Sequence, residues 1–390
     1  MQTYSYIYSL PYIGVFFLFL VLAYLEEKTK ESHKSIIGNI SLIIYFIFIG
    51  FRGYVGWDWH SYYEIFNSFQ PLGEVKTIIY KESITEILSP GFEFIMRFFK
   101  LFSDDYLVFI SFISLLSSFV FRHLFKKYDV NVSLGFALVI AFGLNIQIDL
   151  LRNSISILLF LYSIEYIYQK KPIYFLFLNL IGASIHLSSL LFIPLYFIIN
   201  KKFNLTIIKI LLIVGVIFYF LQLDVATSLI EITSYFSPEI ESKFIVYKSI
   251  ESYFKGEINY SLLFLKLFFA LVLIYYYNII SKKNKYLIPF LNLSILNIYS
   301  FLFFSSFAVI QSRLQILFIL AFVIVIPNIL KKTNYKLLAY SGFIIFQTFS
   351  ILVRYDVILF NYQNTLFISP NIDKNKMIFD NNAYIINPLK

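Results

Sequence analysis

Pro172-Ile-Tyr-Phe-Leu-Phe-Leu-Asn-Leu-Ile-Gly-Ala-Ser-Ile-His186-Leu-Ser-Ser-Leu-Leu-Phe-Ile-Pro-Leu-Tyr-Phe-Ile-Ile-Asn200 is apolar along its length, yet glycine, serine and histidine break it in the middle. Basic pairs flank it, Lys170-Lys171 before and Lys201-Lys202 after. Short loops rich in lysine and arginine stay on the cytoplasmic side of a membrane, so one crossing between these pairs would strand one of them outside. A broken or re-entrant hairpin removes the conflict. Two pieces of about a dozen residues, each reaching ~18–20 Å at ~1.5 Å per residue, bring the chain back to the side it left. Such backbone is tolerated where protein or a water-filled cavity covers it.

Outward from this hairpin the chain reads as lipid-embedded. Hydrophobic residues make up 59%, aromatic residues 21% and charged residues 14% of the 390 positions, too few polar side chains to coat a soluble surface. Apolar runs long enough to cross ~30 Å of hydrocarbon fall near 6–25, 36–51, 106–122, 131–149 and 153–169. Others follow near 207–223, 260–280, 286–305, 312–330 and 335–353. The expectation is an all-α, polytopic transmembrane helical bundle of about 10–12 spans with one broken hairpin. The first run lacks a basic leader and a small-residue cleavage site, so it reads as a retained span. Lys28, Lys30 and Lys34 place the first loop inside and the N-terminus outside. With the hairpin counted as a return, Arg122, Lys126, Lys127, Lys170, Lys171, Lys201, Lys202, Lys282, Lys283, Lys331 and Lys332 all fall inside.

Topology therefore accounts for the net charge of +9, and nucleic acid is not an expected partner. The chain has no cysteine, and His33, His60, His123 and His186 are scattered, so no metal site or cofactor is expected. Two polar segments, 52–105 and 224–258, lie on the outer face and are net acidic, with eight acidic against five basic residues and six against three. Residues 1–360 read as a transmembrane catalytic domain, with 361–390 as an outer C-terminal tail.

Five positions could carry chemistry. Arg52-Gly-Tyr-Val-Gly56-Trp-Asp58-Trp-His-Ser-Tyr62 leaves the second span through two glycines and a polar-aromatic cluster. Arg52 can fork onto phosphate and Asp58 can act as base, acid or hydroxyl orienter; equally, the segment can be an interfacial anchor with Arg52 paired to Asp58. Arg152 either neutralises Asp149 on one helix face or holds an anion in an outer cavity. Arg313 has no acidic neighbour in sequence and reads as an anion ligand. His186, at the hairpin tip among Ser184, Ser188 and Ser189, is either a packing histidine or a proton acceptor suited to neutral pH. Arg354 and Asp356 read as an end-cap pair.

In order and spacing these residues resemble the EpsG family, grouped with Wzy-type polymerases of O-antigens and exopolysaccharides. The resemblance rests on Arg52, Gly56, Asp58 and Tyr62; on Pro90-Gly91-Phe92; on Arg152; on Ala183-Ser-Ile-His186-Leu-Ser; on Arg313 with Pro327; and on Tyr362-Gln-Asn-Thr-Leu-Phe. Ser89 stands where the family commonly has an acidic residue, and Asn153 follows Arg152 where glutamine is usual. The resemblance implies a membrane glycosyltransferase of GT-C-like architecture in the bacterial cytoplasmic (inner) membrane. Its site would face the periplasm or exterior. It would join undecaprenyl-diphosphate-linked oligosaccharide repeat units, with lipid-linked glycan as donor and acceptor and a chain-length regulator protein as a further candidate partner. Arg52, Arg152 and Arg313 would bind the lipid diphosphate, and His186 or Asp58 would take the acceptor proton. An O-antigen ligase would share the arginines and differ in acceptor. A lipid-linked oligosaccharide flippase would string charges through the membrane centre, and a multi-span acyltransferase would want its histidine beside an acid on the cytoplasmic side.

Overall fold

The computed structural model describes residues 3–73, 89–223, 258–333 and 336–386, almost wholly as helices joined by turns. Among the described residues, five helical stretches are long and apolar enough to cross a membrane alone: Tyr6–Lys28, Glu31–Gly50, Tyr106–Lys127, Tyr260–Lys283 and Lys285–Phe303. Ala308–Ile319 and Ala321–Leu330, bent by 54° at their junction, make a sixth if taken together. A polytopic helical bundle is therefore present, with five or six such spans where the sequence suggested about 10–12. Runs read near 131–149, 153–169 and 207–223 are helical at those places but short, interrupted or polar. Val132–Leu138 and Leu144–Ile148 are separated by a π turn at Val139–Gly143. Leu151–Tyr168 carries Arg152, Asn153 and Glu165, and Leu205–Leu221 has 17 residues.

The chain forms two compact units, Met1–Tyr196 with Leu330–Lys390, and Phe197–Ile329. In the first are α1 (Leu10–Lys28), α2 (Glu31–Gly50), α3 (Trp59–Ser68), α4 (Pro90–Phe99), α5 (Tyr106–Lys127), α6 (Val132–Leu138), α7 (Leu144–Ile148), α8 (Leu151–Tyr168) and α9 (Pro172–Ile185). The second carries α10 (Leu205–Leu221), α11 (Tyr260–Lys283), α12 (Ile288–Phe303), α13 (Ala308–Ile319) and most of α14 (Ala321–Leu330). The chain returns to the first unit for α15 (Lys336–Arg354) and α16 (Ile372–Ile386). The outer segment 224–258 lies outside the described residues except at its last position, as do residues 74–88 of segment 52–105.

Contacts within the first unit sort its loops onto two ends. At one end the buried Glu26, near the close of α1, accepts the backbone N–H groups of Val132 and Ser133, each at 3.0 Å, and the Ser133 hydroxyl at 2.6 Å. Its carboxylate thus satisfies the orphan donors that open α6, where the helix dipole favours negative charge. Lys127 pairs with Glu165, and Lys331 with Asp129 at 2.7 Å, so basic loops share this end. Toward the other end run the close of α2 and the start of α5, where Ser111 donates to the Gly50 carbonyl at 2.6 Å.

The reversal expected at His186 is present. α9 ends at Ile185, His186 is extended (φ −150, ψ 119), and a 3₁₀ arm runs Leu187–Phe197. At ~1.5 Å per α residue and ~2.0 Å per 3₁₀ residue, both arms measure ~21–22 Å. They lie antiparallel: the Phe175 and Tyr196 rings, near-equidistant from the turn, are 5.1 Å apart, and Phe192 stacks on Phe160 of α8 at 3.9 Å. Small polar residues weld α9 to α8. Ser156 donates to the Gly182 carbonyl and Asn179 to Ser163, each at 3.0 Å. Such bonds contribute only about 0.6 kcal/mol each in lipid, so the close backbone approach allowed by glycine and serine supplies most of the cohesion.

Candidate functional site

The segment leaving α2 is fixed before any chemistry is considered. Arg52 is 2% exposed, and its guanidinium donates to the Ile49 carbonyl at 2.6 Å, to Ser114 at 3.3 Å and to the Ile148 carbonyl at 3.3 Å. Ile49 and Ile148 lie in the last turns of α2 and α7, where carbonyls lack intrahelical partners, so one arginine caps two helix ends. The motif Tyr362–Phe367 latches the same place from the far end of the chain. Gly53 donates to the Gln363 carbonyl and Thr365 to the Phe51 carbonyl, each at 2.7 Å, while Tyr362 stacks on Phe48 at 4.5 Å. The sequence offered Arg52 as a lipid-diphosphate ligand, or as a partner of Asp58. The structure places it under the loop, on main-chain acceptors.

Gly56 turns the loop at φ +94, where a Cβ would also lie 2.8 Å from Ile148 and press into the Asp149 carboxylate. Asp149 accepts the backbone N–H of Trp57 at 2.6 Å and of Asp58 at 3.4 Å. Asp149 caps α7 and Leu150 breaks the helix (φ −100, ψ 56), so Asp149 and Arg152 do not share one helix face. The carboxylate instead sets the entrance to α3, which carries Tyr62.

Arg152 opens α8 half-exposed, its guanidinium carbon 5.9 Å from the centre of the Tyr62 ring. Burial raises the Tyr62 phenol, while Arg152 pulls it back by charge and by hydrogen bonding and Asp58 adds a smaller upward push. Tyr62 thus links two residues singled out in sequence, Arg152 by contact and Asp58 by its charge. One position along α8, Asn153 reaches the hairpin tip: Ser188 Oγ lies 3.3 Å from Asn153 Oδ1 and 2.6 Å from His186 Nδ1. In one tautomer Nδ1–H donates to Ser188 and Ser188 donates to Asn153, which leaves Nε2 as the acceptor nitrogen. In the other, the Ser188 hydroxyl and the Ser188 backbone N–H, 3.3 Å away, both donate to Nδ1, and Nε2 carries the proton.

Pro90-Gly91-Phe92 presses α4 onto this tip. A Cβ on Gly91 would lie 2.8 Å from the Ser184 carbonyl, so only glycine permits the approach. Phe92 is fully buried in a cluster with Tyr62, Phe109, Leu151 and Ile185. The cluster ties α3, α4, α5, α8 and α9 together through Leu151 and Ile185, the chain neighbours of Arg152 and His186.

Arg313 belongs to the second unit. It is exposed on α13 and hydrogen-bonds to no described residue. Arg354 donates to Ser350 at 3.3 Å and to the Ala141 carbonyl at 3.5 Å, and the end-cap pair with Asp356 is not formed among the described residues. No group of metal-ligating side chains occurs among the described residues. Asp149, Asn153 and Ser188 were named in the sequence, but their parts in the site, Asp149 under the Trp57 and Asp58 amides and Asn153 on Ser188, were not foreseen. The polar run Arg152-Asn-Ser at the head of an apolar helix was the available signal for Asn153.

No curated protein and no solved structure matches the chain. A family model does: it matches residues 35–367, spanning every motif assembled around this site. The chain belongs to the EpsG family, a family of Wzy-like polymerases.

Proposed function

We propose that the chain polymerises undecaprenyl-diphosphate-linked oligosaccharide repeat units at the outer face of the bacterial cytoplasmic membrane. One observation carries this reading: Arg152, Asp58 and the Asn153–Ser188–His186 chain sit together at the end of the first unit opposite its basic loops. The positive-inside rule assigns the basic end to the cytoplasm, so the site faces outward.

In the reaction, the bond between the donor glycan's anomeric carbon and the diphosphate oxygen breaks, and its electron pair leaves on undecaprenyl diphosphate. The acceptor sugar's hydroxyl oxygen bonds to that carbon, and the neutral His186 imidazole takes the hydroxyl proton, with Asp58 the second candidate. Arg152, half-buried at the head of its helix, stabilises the charge growing on the leaving phosphate. Arg313 is proposed as an anion ligand of the second unit on the strength of its exposure. Arg52 keeps the loop beneath in place.

Purified protein supplied with lipid-linked repeat units should release undecaprenyl diphosphate in step with new glycosidic bonds. Arg152→Ala should lower that rate about 10²–10³-fold. Movement of intact lipid-linked units across a vesicle membrane with no release would support a flippase and contradict the reading.

A further inference from the structure

The helix α16 lies beyond the residues matched by the family model and covers the loop that carries Asp58. Its Lys376 pairs with Glu64 and sits 5.0 Å over the Tyr63 ring. The Phe379 ring enters an aromatic cage on the Asp58 loop. It stacks on His60 at 4.9 Å with the planes 5° apart, and meets Trp59 and Trp57 edge-on at 5.9 and 6.5 Å. Beside it runs a cleft lined by Tyr54, Trp59, Asn361, Asn375, Ile378 and Phe379.

Three polar groups of this cleft have no partner among the described residues: the Tyr54 hydroxyl, the Trp59 indole N–H and the Asn361 side-chain amide. Burial raises the Tyr54 phenol to about 12, with Tyr63 and Asp105 adding to the shift, so it remains a donor across the working range. Aromatic walls with a few convergent neutral donors and acceptors form a ligand site of a particular kind. They suit a flat ring with apolar faces and hydroxyls around its edge. An anion would meet no cation in the cleft lining, and an apolar chain would leave the three polar groups unanswered.

We infer that the cage of Trp57, Trp59 and His60, with Tyr54 and Asn361, is a pyranose subsite for the glycan, and that Phe379 occupies it until α16 is displaced. The inference rests on the polymerase reading for the identity of the glycan. A phenyl ring and a pyranose are both six-membered and stack by their faces, so Phe379 stands where the sugar would lie. Position supports the assignment: Asp58 lies between Trp57 and Trp59, so a ring held there is carried by the catalytic loop.

The chain has two tryptophans, and both are in the cage, so tryptophan emission reports this site alone. The probe is the oligosaccharide freed by mild acid from the host strain's lipid-linked repeat unit, titrated into detergent-solubilised full-length protein. Saturable emission change is expected in the wild type. Phe379→Ala should tighten binding at least about tenfold, because the competing ring is gone. Lys376→Ala should tighten it too by freeing α16 without altering the cage, and Asn361→Ala should weaken it about three- to tenfold. Emission unmoved by millimolar oligosaccharide in Phe379→Ala and Lys376→Ala, in preparations that still release undecaprenyl diphosphate, would overturn the subsite and leave the polymerase reading standing. Binding to Phe379→Ala no tighter than to wild type would overturn the role of Phe379. An emission response in preparations that release no undecaprenyl diphosphate would uphold the subsite and count against the polymerase reading.

Discussion

Arg52 and Arg152 sit at the same end of the first unit, yet their surroundings divide them. Arg52 is surrounded by carbonyls of α2 and α7 and by Ser114, and almost none of it reaches the surface. Arg152 opens a helix half-exposed, against a phenol that also feels Asp58. A guanidinium placed on main-chain acceptors closes helix ends, whereas one set against a phenol ring at a helix start is held by side chains. Charge type cannot separate these roles; the availability of orphan carbonyls does.

The largest expected effect tests this contrast from the side of the chemistry. His186→Ala should cut polymer formation about 10²–10⁴-fold with membrane protein levels unchanged, scored by polysaccharide ladders against immunoblots. Arg52→Ala should fail differently. Each buried acceptor left unpaired costs about 1–3 kcal/mol, so thermal melting in detergent should fall clearly while any surviving folded protein still turns over. If Arg52→Ala melted like wild type but made no polymer, the two arginines would have to exchange roles.

Gly91→Ala should come next. Its Cβ would push against Ser184 at the hairpin tip, an overpacking of about 1–3 kcal/mol, and shift His186 relative to Arg152. Melting should drop modestly and activity more. A variant with full activity would show that α4 does not set the position of the tip. The smallest effect is expected from single cysteines in this cysteine-free chain: Leu72→Cys should label from outside and Phe203→Cys from inside, with function intact. Outside labelling at position 203 would remove the hairpin's return.

Much of this arrangement was legible before the structure. The hairpin followed from two basic pairs flanking a stretch with a break in it, because the positive-inside rule constrains parity whatever the packing. Gly56 was visible as one of two turn glycines and Gly91 as part of a motif, but the atoms crowding them, Asp149 and Ser184, come from distant sequence. The partners of Arg52 could not be foreseen, because main-chain carbonyls carry no residue signature. Neutralising Arg152 was one of two readings that involved Asp149, and the Leu150 break turns it instead toward Trp57 and Asp58. The helix α16 escaped notice as well. It is too polar for a span, and its anchors on Glu64 and His60 lie far away in sequence, beyond the reach of periodicity.

The central claim is that Arg152 serves the lipid diphosphate while Arg52 serves the fold. Its most direct test is Arg152→Ala in cells, with polysaccharide chain length and protein level read from the same membranes. The account predicts wild-type protein levels and melting, with single lipid-linked repeat units accumulating and no ladder. A normal ladder from that variant would contradict it.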